Sequence, residues 1–204
     1  TASKEFRKTV QQSIKAAKPE ASSEKVYRFL KHINYFSGKY DQLEDFKTYV
    51  KQLKKKRKGR KMAHLAYFAV PPIAFEPIIK NLGESRMSEF EDIRLILEKP
   101  FGADFKSAQE LFHFTARYFE EDQIYLLDHY LGKTGVQSIL NLRHSNRILN
   151  LILKGKEIAN IQISATEPLG VEDRVGYFNE VGTMKDMVQS HLLQILALIT
   201  MSIP

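Results

Sequence analysis

The strongest constraint on the fold of this 204-residue chain is a change in the period of its apolar residues near position 64. Before it the spacing is helical. Phe6, Val10 and Ile14 recur every four residues, and Val26, Phe29, Leu30 and Ile33 follow the i, i+3, i+4, i+7 template behind a capping Ser22 or Ser23. Leu43, Phe46, Val50 and Leu53 mark a third helix opened by Asp41. After it, residues 65–70 form an unbroken apolar run stopped by Pro71-Pro72, the pattern of a strand buried on both faces of a parallel sheet. A short helix over about 73–82 and a second strand over 93–97 come next. Asp104 or Ser107 then caps a helix with Ala108, Leu111, Phe112, Thr115 and Phe119 on one side, before a third, buried strand over 124–127. Strand, helix, strand, helix, strand is two crossover units, which predicts an α/β fold with three parallel strands.

In such a sheet the C-terminal ends of the strands share the edge at which open α/β sheets bind ligands. Those ends are Val70-Pro71-Pro72, Glu98-Lys99-Pro100 and Asp128-His129. Lys99-Pro100 is a candidate cis bond, since cis peptides occur at X-Pro; Lys99 reads equally as an exposed loop cation. The third strand runs into Asp128-His129-Tyr130-Leu131-Gly132-Lys133, which places a carboxylate, an imidazole, a phenol and an ammonium within six positions. Lys133 and His129 can hold an anion, Tyr130 can donate a hydrogen bond and Asp128 can orient a base. Taken alone, the stretch is a complete candidate site with His129 as its base.

Beyond Lys133, the spacing of Val136, Ile139, Leu140 and Leu142 predicts a helix to about 144. Residues 158–166 then alternate, Ile161, Ile163 and Ala165 against Gln162, Ser164 and Thr166, as a half-buried antiparallel strand does. This change of character divides the chain into a first domain over 1–127 and a second over 128–204. A last helix, about 177–201, is expected to bury Met184, Met187, Val188, Leu192, Ile195, Leu196 and Ile199. Its less apolar side carries Asp186, Gln189, Ser190, His191 and Gln194, where a lone histidine reads first as a surface residue.

Composition removes several classes. The chain is 43% hydrophobic and 27% charged, as a soluble core requires, and its longest apolar stretch, 192–203, is too short to span a bilayer. With no cysteine there is no disulfide framework, thiolate metal site or thiol nucleophile, and a reducing compartment, the cytoplasm, is expected. The six histidines form no HxxxH pair, so no metal is expected. The net charge of +7 is carried by the run Lys54, Lys55, Lys56, Arg57, Lys58, Arg60 and Lys61. That run reads as a solvated loop between a helix and a strand, or alternatively as a nucleic-acid patch, although it lacks interleaved aromatics. Gly132-Lys133-Thr134 resembles the tail of a phosphate loop, but position 127 is Leu where that loop needs Gly. Neither GxGxxG nor GxSxG occurs.

Four motifs converge on one family. EDQIYLLDHYLGK at 121–133 resembles the substrate-site signature of the glucose-6-phosphate dehydrogenases. FAVPP at 68–72 is similar to that family's strand end beside the nicotinamide, and LEKPFGAD at 97–104 to its lysine-proline loop. EPLGVEDRVGYFNEVGTMKDMVQSHLLQ at 167–194 is similar to the segment bearing the catalytic histidine. The resemblance implies a partial Rossmann-type coenzyme domain followed by the start of an α+β substrate domain. It implies oxidation of glucose 6-phosphate at C1 to 6-phosphogluconolactone with hydride transfer to NADP, the first step of the oxidative pentose phosphate pathway. By the same resemblance His191 is the base and Asp128 its partner. His129, Tyr130 and Lys133 hold the 6-phosphate, Lys99 reaches substrate, and Glu167 and Asp186 bind sugar hydroxyls. Pro71, Lys99 and Pro100 border the coenzyme.

The chain departs from the family pattern at Leu126 (usually Arg), Thr134 (commonly Glu), Asn179 (Asp) and Ser190 (Asn). These departures leave room for altered efficiency, or for a non-catalytic family member. The resemblance also implies a glycine-rich NADP loop before residue 1 and a large antiparallel sheet after residue 204. The 204 residues alone are therefore expected to bind NADP weakly and turn over little, and the full-length protein to be a homodimer or homotetramer.

Overall fold

The computed structural model describes residues 2–57, 62–90, 92–102, 104–153, 155–166, 170 and 175–202. The chain divides into two compact units, Thr1–Tyr125 and Leu126–Pro204.

In the first unit the helical spacings produce α1 (Ala2–Ala17), α2 (Ser23–Leu30) and α3 (Leu43–Arg57). Ser22 is the N-cap of α2, but its side chain makes no capping bond. Helix α3 runs on through Arg57, so the first half of the basic run is a helix end rather than a loop; cations there face the negative end of the helix dipole. Lys58, Arg60 and Lys61 lie outside the described residues.

Strand β1 (His64–Phe68) pairs in parallel with β2 (Ile93–Glu98), from His64 opposite Ile93 to Phe68 opposite Leu97. Strand β3 (Ile124–Leu127) completes a parallel three-stranded sheet in the order β1-β2-β3. A 3-10 turn (Pro72–Ala74) leads into α4 (Phe75–Glu84), and α5 (Phe105–Thr115) precedes β3. Asp104 caps α5: its carboxylate accepts from Ser107 N–H at 2.8 Å and the Ser107 hydroxyl accepts from Asp104 N–H at 3.0 Å. The core is hydrocarbon. Ile93, Leu95 and Leu97 lie in it, packed with Phe75, Ile79 and Phe119, and burial of each such side chain contributes about 1.5–3 kcal/mol. Helix α4 closely approaches the turn after α5 at Gly83, where an added Cβ would stand 2.4 Å from the Tyr118 ring.

Three expectations fail here. Strand β1 is not buried on both faces: Leu65 is 66% and Tyr67 52% exposed, and β3 likewise exposes Tyr125, Leu126 and Leu127. Only β2 lies between two neighbours, and its inward residues are the ones fully covered. An apolar run marks surface suited to burial, while the layers actually present decide how much is covered. Phe112 is 41% exposed on α5, because the helix buries a narrower stripe than its apolar residues outline.

The second unit contains α6 (Thr134–Ser145), α7 (Arg147–Ile152), α8 (Val175–Thr183), a π-helix (Met184–Leu192) and α9 (Leu193–Thr200). Residues 158–166 are not a strand. Alternation only proposes a strand, and the ladder needs a neighbouring backbone to accept its hydrogen bonds; no such pairing occurs among the described residues. The expected continuous helix over 177–201 is also broken. Gly182 adopts φ 71°, ψ 161°, a region essentially restricted to glycine, and the chain then continues with π rather than α hydrogen bonding. Of the apolar residues expected inside this helix only Ile195 is fully buried, and Met184 is 68% exposed.

Candidate active site

The site of the second unit begins where β3 ends. The Asp128 carboxylate accepts hydrogen bonds from the backbone N–H of Tyr130 (2.9 Å) and of Leu131 (3.2 Å), folding the chain into an Asx turn. Gly132 N–H to Asp128 C=O and Lys133 N–H to Tyr130 C=O continue the turn into α6. The same carboxylate faces His191: Nδ1 lies 3.1 Å from Oδ1 and 3.2 Å from Oδ2. The His191 and Asp128 side chains are 3% and 9% exposed. The expectation of a surface His191 is therefore overturned. The π-helix turns it inward, and a buried imidazole needs a polar partner, which Asp128 supplies.

Tyr130 is 5% exposed and its ring stacks on the His191 imidazole, centroids 4.2 Å apart and planes 20° from parallel. His129 is exposed and stands edge-on to both rings, 5.0 Å from Tyr130 and 4.7 Å from His191. The Lys133 ammonium sits 3.7 Å from the Tyr130 ring centroid. Asp186 is half-buried on the π-helix, five residues before His191, which is the period of an i→i+5 ladder. The Ser190 hydroxyl donates to Lys185 C=O at 2.8 Å, the same five-residue step.

Asp128, His129, Tyr130, Lys133 and His191 are thus brought together, although His191 is 63 positions away from Asp128 in sequence. Ligand atoms of Asp128, His129 and His191 lie within 4.8 Å of one another, the reach of a metal site, which HxxxH spacing does not detect. Hydrogen bonding alone accounts for the Asp128–His191 approach. Glu167 lies outside the described residues.

Pro71, Lys99 and Pro100 belong to the first unit. Pro71 is exposed after β1, Lys99 and Pro100 are half-buried after β2, and the Lys99-Pro100 bond is cis. A cleft of about 350 Å³ opens there, lined among others by Pro72, Phe75, Pro100, Phe101 and Gly102.

Sequence reasoning missed Arg143, a buried residue on α6 that donates to Leu198 C=O and, at 2.7 Å, to Met201 C=O, closing the C-terminus of α9. An arginine in a last helical turn looks like a surface residue, so no local signal marks it. The break before the π-helix did have one, an isolated glycine within an apolar helical pattern.

Residues 1–138 match the family model described as glucose-6-phosphate dehydrogenase, NAD binding domain, and residues 140–204 match that of the C-terminal domain. The chain is 39% identical over 203 residues to the glucose-6-phosphate 1-dehydrogenase of Schizosaccharomyces pombe, covering 98% of this chain and 40% of that protein. It is 40% identical over 183 residues to the Helicobacter pylori enzyme, covering 90% of this chain and 41% of that one. A glucose-6-phosphate dehydrogenase solved in complex with its substrate glucose-6-phosphate superposes with a TM-score of 0.87 at 36% identity, over 99% of this chain and 42% of that one. The chain thus spans about two fifths of the length of these proteins. Nothing in these matches favours the nucleic-acid reading of the basic run. With both family models matched in order along its length, the chain belongs to the glucose-6-phosphate dehydrogenase family.

Proposed function

We propose that this chain carries the substrate site of a glucose-6-phosphate 1-dehydrogenase. That enzyme oxidises C1 of glucose 6-phosphate to 6-phosphogluconolactone, in the first step of the oxidative pentose phosphate pathway. The observation that carries the reading is the buried Asp128–His191 pair beside Lys133 and His129. With Nδ1–H donating to the Asp128 carboxylate, the tautomer is held so that Nε2 presents its lone pair. Nε2 of His191 takes the proton of the C1 hydroxyl as hydride leaves C1, and Asp128 stabilises the imidazolium that forms. The 6-phosphate is held by Lys133 and His129, both exposed and able to make charge-assisted bonds to a dianion, with Tyr130 beside them. Asp186, and Glu167 by resemblance to the family, accept from sugar hydroxyls.

A bound nicotinamide supplies the hydride acceptor. NADP is the proposed coenzyme, with Pro71, Lys99 and Pro100, which follow β1 and β2, as the proposed neighbours of its nicotinamide. A cytoplasmic location suits the absence of cysteine, and the full-length protein is proposed to be a homodimer or homotetramer.

The test is His191→Asn in the full-length protein, assayed with glucose 6-phosphate and with NADP or NAD. Loss of the base is expected to lower kcat by about 10²- to 10⁴-fold with little change in KM. Unchanged turnover excludes His191 as the base, and faster reduction of NAD than NADP overturns the coenzyme assignment.

A further inference from the structure

Tyr130 falls to the phosphate-binding group by resemblance, yet its ring is buried against the base. From this geometry we infer that Tyr130 is a positioning residue for His191, an inference that rests on the proposed role of His191 as base. A hydrogen bond at Nδ1 fixes one vertex of the imidazole and leaves the ring free to tilt about it. The Tyr130 ring, 4.2 Å away and 20° from parallel, fixes the plane. His129 closes the arrangement edge-on, 73° from the His191 plane.

Tyr130 is itself held from three sides. Its N–H donates to Asp128 Oδ1 at 2.9 Å, the residue is 5% exposed, and the Lys133 ammonium lies 3.7 Å from its ring centroid. One carboxylate therefore sets both the vertex of the imidazole and the ring that flanks its face. Proton transfer depends on where the Nε2 lone pair points, and the tilt that Tyr130 suppresses is the motion that would misdirect it. The hydroxyl of Tyr130 plays no part in this function; the aromatic face does.

The experiment compares Tyr130→Phe with Tyr130→Leu. In proton NMR of the 204-residue protein, the His191 ring protons are expected to be shifted upfield by the stacked ring in wild type and Tyr130→Phe, and to lose that shift in Tyr130→Leu. In the full-length protein, Tyr130→Leu is expected to lower kcat roughly tenfold or more beyond whatever Tyr130→Phe loses. Any lost phosphate contact would appear in KM for both variants. Two results overturn the inference: equal loss of kcat in Phe and Leu, or a Leu variant that keeps the upfield shift and changes KM alone. A wild-type protein that does not oxidise glucose 6-phosphate defeats the proposed function, while the NMR comparison still decides the stacking.

Discussion

The two units bury different things. The first hides Phe75, Ile79, Ile93, Leu95 and Leu97, a continuous hydrocarbon core, and the residues proposed for coenzyme lie on loops at its strand ends. Among the described residues of the second, the buried set is Tyr130, Arg143, His191 and Ile195. Three of those four carry polar groups, and two of the three belong to the candidate site. In the first unit packing and chemistry are separable, since a loop residue changes without opening the core. In the second they coincide: Asp128 folds a turn and holds a base with the same carboxylate.

That contrast is most sharply broken at Asp128. Asp128→Ala removes the partner of His191 and the acceptor of the turn together, and is expected to lower turnover of the full-length protein by about 10³-fold or more in initial-rate assays. A drop below tenfold would mean that the pair is structural. Leu95→Ala is the matching change in the first unit. It empties a fully covered position and is expected to cost about 2–5 kcal/mol in urea denaturation, a loss of stability rather than of chemistry. Gly182→Ala comes next. A Cβ meets open space there, but the backbone conformation is one that only glycine adopts without strain, so about 1–3 kcal/mol is expected. If the variant is as stable as wild type, the turn before the π-helix is not strained.

The smallest effect belongs to Arg86, at φ 63° after α4, where Arg86 N–H donates to Gly83 C=O and Met87 N–H to Leu82 C=O. This is a helix end that favours glycine, so Arg86→Gly is expected to stabilise by up to about 1 kcal/mol in thermal melts.

How much could be read in advance differs between the units in the same way. The elements of the first unit follow from apolar period and punctuation: α1 to α5 and the three strands were legible in kind and order, and the cap of α5 was narrowed to Asp104 or Ser107. Exposure of Leu65 and Tyr67 was not, because an apolar strand looks the same whether or not a layer covers it. In the second unit DHYLGK stood out as polar chemistry after a strand, but His129 looked like its base. The family motifs pointed to His191, and the geometry supplies a reason, since His191 is the imidazole buried against Asp128. The expected strand over 158–166 failed because alternation carries no information about its partner.

By itself the sequence determined the kinds and order of the elements in the first unit, the parallel sense of the sheet, a candidate cis proline and the family. These depend on neighbours along the chain, through period, capping and φ restriction. Only the tertiary structure decided that one carboxylate serves a turn and a base 63 residues apart, that Tyr130 stacks on that base, and that a π-turn after Gly182 presents it. Those are contacts between residues distant in sequence, and such contacts are specified by the summed packing of the chain rather than by any local pattern.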